Sequence, residues 1–185
     1  ISFGVIDEKE LTDISAVVEL TKWVKDGHVV PYFLWCLRDF MLDIEGYASS
    51  DDYLENVLST KDLEPSDDKY RIRKTLNEFF KERNCLFFVR PVNDEGRLRV
   101  IETLKPAELR PQFTESLDRF KSIIFSHLKP KKVGERILNG ATFIKLIKDV
   151  LGAFNSKKVP EITSSVERIF ENERREVIEG TKSFL

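Results

Sequence analysis

A charged pair, Arg38-Asp39, follows directly on the apolar run of residues 32–37, and a second apolar run, residues 85–89, ends in Arg90. In open α/β sheets, ligands collect at the carboxyl ends of parallel strands, so these three side chains are the first candidates for a binding site. A carboxylate held there can accept two hydrogen bonds from the N1–H and the exocyclic amine of guanine, a donor pair that adenine lacks. The planar guanidinium of Arg38 can stack on a base or brace the carboxylate.

A second interpretation of this pair stays open. Arg38 and Asp39 can form an exposed ion pair or cap the next turn, and exposed ion pairs are common although each contributes only ~0–1 kcal/mol. From these two residues alone, an ion pair is the more frequent outcome. Base recognition therefore needs support from the rest of the sequence.

The sequence contains no phosphate-binding loop. Such a loop needs two glycines five positions apart followed by Lys-Ser or Lys-Thr, so that backbone N–H groups and the lysine surround the phosphates. No two of the eight glycines have this spacing. The lone histidines His28 and His127 have no carboxylate or cysteine at ligand spacing. We therefore assign no catalytic residue and no metal ligand to this chain.

Charge and cysteine content narrow the class of protein. Lys plus Arg (30) and Asp plus Glu (32) nearly cancel to a net charge of -2, which argues against nucleic acid as a partner. Cys36 and Cys85 lie inside apolar runs and predict buried, reduced thiols rather than a disulfide. No segment approaches the ~18 apolar residues of a membrane span, so we expect a soluble, cytoplasmic protein; membrane contact is possible but not encoded here.

The elements that position the charged residues follow from apolar periodicity. Both apolar runs are short and uninterrupted, as expected of strands buried on both faces of a parallel sheet. Residues 91–99 are predicted to be a polar loop. Apolar residues at three- and four-residue steps predict helices over residues 7–27, 51–58, 72–80, from Pro111 to Pro130, from about 141, and beyond Pro160. We expect an α/β fold that continues into an all-helical C-terminal segment, with further strands before Ile1 because two are too few for an independent sheet.

An ordered series of segments resembles the guanylate-binding proteins, a family of large GTPases in the dynamin superfamily, and particularly their plant- and protist-like branch. In that family, an Arg-Asp motif after a buried strand replaces the more widespread Asn/Thr-Lys-x-Asp base reader. The resemblance covers nearly the whole chain. The matching segments are Gly4-Val-Ile-Asp7 with Glu19-Leu-Thr21, Phe33-Leu-Trp-Cys-Leu-Arg-Asp-Phe40 with Leu42-Asp43, Asp52-Tyr-Leu54, Cys85-Leu-Phe-Phe-Val-Arg-Pro-Val92, Leu109-Arg-Pro-Gln-Phe113, Pro130-Lys-Lys-Val-Gly134 and Asn139-Gly140.

The resemblance implies a role for each candidate residue. Asp39 would bind the guanine edge, Arg38 would cover or brace the base, and the segment from Arg90 to about Arg99 would close over it as a guanine cap. The cap residues implied are Arg90, Pro91, Val92 and Arg97. After Val92 the sequence reads Asn93-Asp94-Glu95, where vertebrate members carry further basic residues, so contact between two caps stays open.

The resemblance also implies ligands, partners and domain organisation. GTP or GDP would be the ligand, Mg²⁺ is expected for the parent domain, and a homodimer would form through the GTP-binding domain. The family's phosphate, magnesium and catalytic residues would all precede Ile1. The Asp-x-x-Gly strings at Asp43 and Asp149 follow the base reader, so they do not match the family's switch. Residues 1–158 would be the C-terminal half of the GTP-binding domain, with a P-loop-NTPase-like sheet, and residues 159–185 the start of a helical middle domain.

Three hypotheses on function therefore remain. The first is the guanine-reading half of a large GTPase that hydrolyses GTP and self-associates. The second is a non-catalytic interaction module derived from the same family, because the phosphate machinery is missing from this chain. The third is an unrelated α/β domain in which the motif series arises by chance.

Overall fold

The computed structural model describes residues 1–21, 31–40 and 46–182. The described residues divide into two compact units, the first made of residues 1–18, 31–40 and 46–128, the second of residues 19–21 and 129–182. The fold class is confirmed: helices flank a parallel sheet, and the C-terminal part is mainly helical. The elements in chain order are β1 (Ser2–Phe3), α1 (Glu8–Thr21), β2 (Phe33–Arg38), α2 (Ser50–Val57), α3 (Asp68–Phe79), β3 (Arg83–Phe88), α4 (Glu95–Leu98), α5 (Pro111–His127), β4 (Lys132–Val133), β5 (Arg136–Ile137), α6 (Gly140–Asn155) and α7 (Ile162–Lys182), with 3-10 turns at Ile101–Thr103 and Pro106–Glu108.

The first unit is built on a three-stranded parallel sheet in the order β1-β2-β3. β2 and β3 pair over all six of their residues, and the last pair places Arg38 opposite Phe88. Leu37 and Cys85 are both 0% exposed, since an uninterrupted apolar run suits a strand covered on both faces. Both predicted strands are confirmed, with their bounds shifted by one or two residues.

β1 is a strand that the sequence pattern does not predict, because only two residues pair with β2. Ser2 Oγ accepts a hydrogen bond from the buried Trp35 Nε1 at 2.7 Å, which gives the indole N–H the partner that burial requires. Gly4 N then donates to Arg38 O at 2.7 Å, with a φ of 75° that glycine adopts without steric cost. These two bonds hold the N-terminal residues alongside β2.

Helix α2 is tied to β3 by polar side chains of its first turn. Ser49 caps the helix by accepting a hydrogen bond from Asp52 N at 3.1 Å. Asp51 Oδ1 accepts from Cys85 N at 2.6 Å, and Ser50 Oγ donates to Cys85 O at 2.7 Å. The predicted helix over residues 51–58 is confirmed with its bounds shifted by one residue.

Two further helices of this unit follow the predicted pattern. α3 begins earlier than its apolar stripe suggests, because Asp67 caps it by accepting from Lys69 N at 2.8 Å. α5 begins at Pro111, as predicted for a proline in the first turn. Phe113 and Phe120 of α5 contact Phe88 of β3, with ring centroids 6.1 and 5.9 Å apart.

The prediction of a polar loop over residues 91–99 is wrong for residues 95–98. The structure places the short helix α4 there, because Asp94 accepts a hydrogen bond from Arg97 N at 2.7 Å and caps the turn. The local cap outweighs the low helix propensity of Gly96, which lies inside the turn.

The second unit packs α6 against α7 beside the β4–β5 hairpin. Asn139 caps α6 by accepting from Thr142 N at 2.9 Å, so the helix begins close to the predicted position. Gly134 turns the antiparallel hairpin with a φ of 57°. The buried core of this unit consists of Val133, Leu138, Leu146, Val166 and Ile169.

The remaining structural predictions have mixed outcomes. Cys36 and Cys85 are buried and free, and Trp35 is in the core, as predicted. The end of the first predicted helix, Trp23, His28 and the Leu42-Asp43 segment lie outside the described residues. Among the helices that the structure describes, none has the length and apolar character needed to cross a membrane.

Candidate functional site

The candidate site lies where the three parallel strands of the first unit end. β1 ends at Phe3 opposite Arg38, and Arg38 is in turn opposite Phe88 at the end of β3. Asp39 is the first residue after β2, so its side chain stands at the carboxyl edge of the sheet. This is the edge at which open α/β sheets bind their ligands.

The backbone at Asp39 is held in an uncommon conformation. Asp39 has a φ of 51°, in the left-handed region, which Asp adopts more readily than most residues other than glycine. Arg38 O accepts from Gly4 N at 2.7 Å, and Phe40 N donates to Phe88 O at 3.1 Å. The bonds on both sides therefore fix the turn that carries the Asp39 carboxylate.

Aromatic packing supports the same turn. Phe40 is buried, and its ring stacks on that of Phe87 with centroids 3.8 Å apart and an interplanar angle of 4°. Tyr53 contacts both rings edge-on, at 5.8 Å from Phe40 and 5.5 Å from Phe87. Phe40 is thus held in the core, and this limits the positions that the Asp39 carboxylate can take.

Asp39 is paired with Arg90 rather than with its neighbour Arg38. Arg90 Nε lies 3.9 Å from Asp39 Oδ1, and the Asp39 side chain is 18% exposed. The ion pair between Arg38 and Asp39 that the sequence leaves open is absent from the described part of the chain. Arg38 is exposed at the end of β2, where its guanidinium can reach a ligand above the sheet edge.

The Asp39 carboxylate has unused hydrogen-bonding capacity. Within residues 1–21, 31–40 and 46–182 no hydrogen bond reaches its oxygens, and its single ion pair, to Arg90, is long at 3.9 Å. Buried and half-buried carboxylates in proteins generally have hydrogen-bond partners. A largely enclosed acid with free acceptor sites can therefore receive donors from a ligand.

Arg90 is held by groups of its own chain segment. Its Nη1 donates to Glu95 Oε1 at 2.5 Å. Arg110 fixes the backbone on either side of the Arg90–Pro91 peptide, because Arg110 Nη1 donates to Arg90 O at 3.4 Å and Arg110 N donates to Pro91 O at 2.8 Å. The adjacent Val92 is buried, so the start of the predicted cap is anchored.

Arg97, the fourth predicted cap residue, pairs with Glu108 rather than with Asp39. Its Nη2 donates to Glu108 Oε1 at 2.9 Å, within the same segment. The structure therefore brings Arg90 to Asp39 but not Arg97. Glu95 and Arg110 contact Arg90, and neither contact follows from the sequence. An acid five residues after Arg90 is a weak local signal, and Arg110 gives none.

The cysteines and histidine of the described region have structural roles. Burial raises the pKa of the Cys85 thiol to about 12, and burial likewise raises the pKa of Cys36, so neither is a thiolate nucleophile at neutral pH. His127 stacks on Tyr32 with ring centroids 3.7 Å apart. Among the described residues, no group of three or more His, Cys, Asp or Glu side chains is placed to hold a metal ion.

The family profile described as "Guanylate-binding protein, N-terminal domain" matches residues 2–133, which include the whole site around Asp39. This chain belongs to the guanylate-binding protein family. The match begins at β1 and ends in β4, so it covers every strand of the parallel sheet.

Individual family members are similar over a longer stretch. The chain is 30% identical to Guanylate-binding protein 6 of Homo sapiens over 206 aligned positions, which cover 99% of this chain and 32% of that protein. It is 30% identical to Guanylate-binding protein 2 of Mus musculus, over 89% of this chain and 31% of that protein. The chain thus spans about a third of the length of the curated relatives it matches.

Proposed function

We propose that this chain supplies the guanine-reading part of a large GTPase. The observation that carries the proposal is the Asp39 carboxylate, which is 18% exposed, stands at the carboxyl edge of the sheet and receives no hydrogen bond from the described residues. Its two oxygens can accept the N1–H and the exocyclic N–H of guanine. Membership of the guanylate-binding protein family supports the same ligand class.

Arg38 and Arg90 would take different parts in base binding. Arg38 is exposed at the end of β2, so its planar guanidinium can stack on the base or meet a neighbouring ligand oxygen. Arg90 approaches Asp39 from the end of β3, and its Nε lies 3.9 Å from the carboxylate oxygen that would read guanine. Pro91 and Val92 would begin the cap that closes over the base, with Arg97 stabilising the cap through Glu108.

The chemistry on the phosphates would belong to residues outside this chain. The sequence has no glycine pair with phosphate-loop spacing, so the γ-phosphate, Mg²⁺ and the attacking water would be held by another part of the protein. GTP hydrolysis and nucleotide-dependent homodimerisation are thus proposed for the parent protein. We further propose that the parent protein is cytoplasmic and belongs to the plant- and protist-like branch. In this proposal residues 1–158 are the C-terminal half of the GTP-binding domain and residues 159–185 the start of a middle domain.

A second candidate function is a non-catalytic interaction module of the same family. The missing phosphate-loop spacing favours it, because a module of this kind needs no phosphate machinery. It predicts that the full-length protein binds neither guanine nor adenine nucleotides. The first proposal predicts a clear preference for guanine.

The decisive experiment replaces Asp39→Asn in the full-length natural protein and measures the affinities for fluorescent GDP and ADP. The guanine-over-adenine preference should fall ~10- to 100-fold, because hydrogen bonds to a charged group contribute ~1.5–3 kcal/mol each. Asp118→Asn is the matched control, since among the described residues Asp118 forms only an exposed pair with Lys121 on α5. An unchanged preference in the Asp39 variant would disprove base reading by this residue.

A further inference from the structure

The guanidinium of Arg90 is shared unequally between two carboxylates. Its Nη1 is 2.5 Å from Glu95 Oε1, whereas its Nε is 3.9 Å from Asp39 Oδ1. A charge-assisted N–H···O bond normally measures ≈ 2.7–2.9 Å, so the contact with Glu95 is closed and the contact with Asp39 is open. Arg90 is therefore close enough to act on Asp39 through its charge without occupying the acceptor sites of that carboxylate.

It matters that Arg90 is closer to Glu95 than to Asp39, because Asp39 is the carboxylate proposed to bind a ligand. An arginine fork fits a carboxylate in a bidentate manner, and it would use the same lone pairs that the two N–H donors of guanine need. Arg90 is 38% exposed and Asp39 18% exposed, so a closed pair here would be well shielded and hard to displace. An internal competitor of this kind lowers the affinity for any ligand that binds through Asp39.

Glu95 is well placed to prevent that competition. It lies on the first turn of α4, which Asp94 caps by accepting a hydrogen bond from Arg97 N, and its Oε1 accepts a hydrogen bond from Arg90 Nη1. The backbone of Arg90 is fixed by Arg110 at the Arg90 and Pro91 carbonyls, so only the side chain of Arg90 is free to swing. The position of that side chain depends on which carboxylate holds it.

We propose that Glu95 is a positioning residue that draws Arg90 away from Asp39 and so keeps the Asp39 carboxylate open for the guanine base. The inference rests on the proposed function, since it concerns the same site. When Glu95 loses its charge, Arg90 closes on Asp39 and competes with guanine. Adenine lacks the N1–H and amine pair that Asp39 accepts, so adenine affinity is insensitive to this change.

The test is a double-mutant cycle in the full-length protein, with GDP and ADP affinities as the readout. Glu95→Gln should weaken GDP binding about two- to fivefold, the range expected for a partly exposed ion pair, and leave ADP binding unchanged. In the Arg90→Gln background the same substitution should have no effect, because the competitor is absent. Glu95→Asp retains the charge and should keep most of the native GDP affinity.

Three outcomes would overturn the inference. Equal losses in both backgrounds, or equal losses for GDP and ADP, would mean that Glu95 acts only by stabilising α4. An unchanged or tighter GDP affinity in Glu95→Gln would mean that Arg90 does not compete. Glu55→Gln breaks a different arginine–carboxylate pair, that of Arg83 at the start of β3, and controls for a general loss of stability. Asp39→Asn tests the proposed function separately, so failure of that function is distinguishable from failure of the cycle.

Discussion

At the amino-terminal end of β3, Asp51 accepts hydrogen bonds from Cys85 N at 2.6 Å and Asn84 Nδ2 at 2.8 Å, and it pairs with Arg119 at 3.6 Å. At the carboxyl edge of the same sheet, Asp39 has a single ion pair at 3.9 Å and no hydrogen bond from the described residues. The two carboxylates are chemically alike but differ in how many of their acceptor sites are used. A carboxylate with its hydrogen bonds made holds elements of the fold together, whereas one with unused acceptor sites at a ligand-binding edge is available to a ligand.

The neighbouring ion pairs follow the same division. Arg83, at the start of β3, donates to both oxygens of Glu55 at 2.7 and 2.6 Å, and it also donates to Phe80 O at 2.8 Å. Arg90, just after the end of β3, has one closed bond to Glu95 and one open contact with Asp39. The Arg83–Glu55 pair uses both carboxylate oxygens, whereas the contact of Arg90 with Asp39 leaves acceptor sites of the Asp39 carboxylate unused.

The largest expected effect of this difference is on stability at the amino-terminal end. Asp51→Ala removes the acceptor of the buried Cys85 N–H and should lower the free energy of unfolding by about 2–4 kcal/mol. Urea unfolding followed by circular dichroism measures this loss. Asp52→Ala, one position along the same helix turn and exposed, should cost under about 1 kcal/mol. Similar losses in the two variants would contradict the assignment of Asp51 as the acid that joins α2 to β3.

A smaller effect is expected at Glu55. Glu55→Gln should lower the free energy of unfolding by about 1 kcal/mol, because Arg83 loses a bidentate partner but Glu55 is itself 54% exposed and screened by solvent. Thermal unfolding by differential scanning calorimetry measures the change. Glu78→Gln, in the looser Lys74–Glu78 pair on α3, should have no measurable effect. An unchanged free energy of unfolding in the Glu55→Gln variant would show that the Arg83–Glu55 pair contributes nothing to stability.

At Asp39 the sign of the stability change should reverse. Asp39→Gly should leave the free energy of unfolding unchanged or raise it by up to about 1 kcal/mol, since glycine adopts a φ of 51° without the Cβ clash. The same variant should lose its guanine preference. Chemical unfolding and nucleotide binding on one preparation measure both quantities. A stability loss above about 1 kcal/mol would place Asp39 with Asp51 among the structural acids.

The smallest expected effect is a pH dependence of stability that comes from Glu8, the first residue of α1. The hydrogen bonds from Arg73 lower the pKa of Glu8 from its ordinary value of 4.5. A lowered folded-state pKa contributes stability that is present above pH 4.5 and is lost as the pH falls through the folded-state pKa. Glu8→Gln should therefore flatten the stability curve below about pH 4.5. An identical acid-unfolding profile for the two proteins would rule out this linkage.

Much of the fold can be predicted from the sequence, because continuous apolar runs and capping residues act locally. The strands at residues 32–37 and 85–89, the helix behind Ser49 and the helix start at Pro111 follow from such signals. β1 does not, since its two residues become a strand only through pairing with β2. α4 does not follow from the apolar pattern either, because a single cap at Asp94 decides it.

The site is predictable only in part, and for a physical reason. The position of Asp39 at the end of a buried strand follows from the sequence, and so does the nearness of Arg90 at the end of its neighbour. Which arginine pairs with which acidic residue depends on distances across the fold. The partners of Arg90 and Arg97, which are Glu95 and Glu108, therefore do not follow from sequence spacing. The predicted roles of these residues, and the domain boundary after residue 158, stay predictions.

The double contact of Arg110 with Arg90 and Pro91 has a consequence for how this protein can vary. It joins the two ends of the intervening segment, residues 92–109, at a common base. The entropic cost of closing such a segment grows only slowly with its length, by roughly 0.6 kcal/mol per doubling. Insertions, deletions and changes of charge at positions of this segment other than Glu95 can therefore accumulate while the backbone at Arg90 keeps its place. The segment proposed to close over the base can therefore diversify while Asp39, the residue proposed to read that base, stays unchanged.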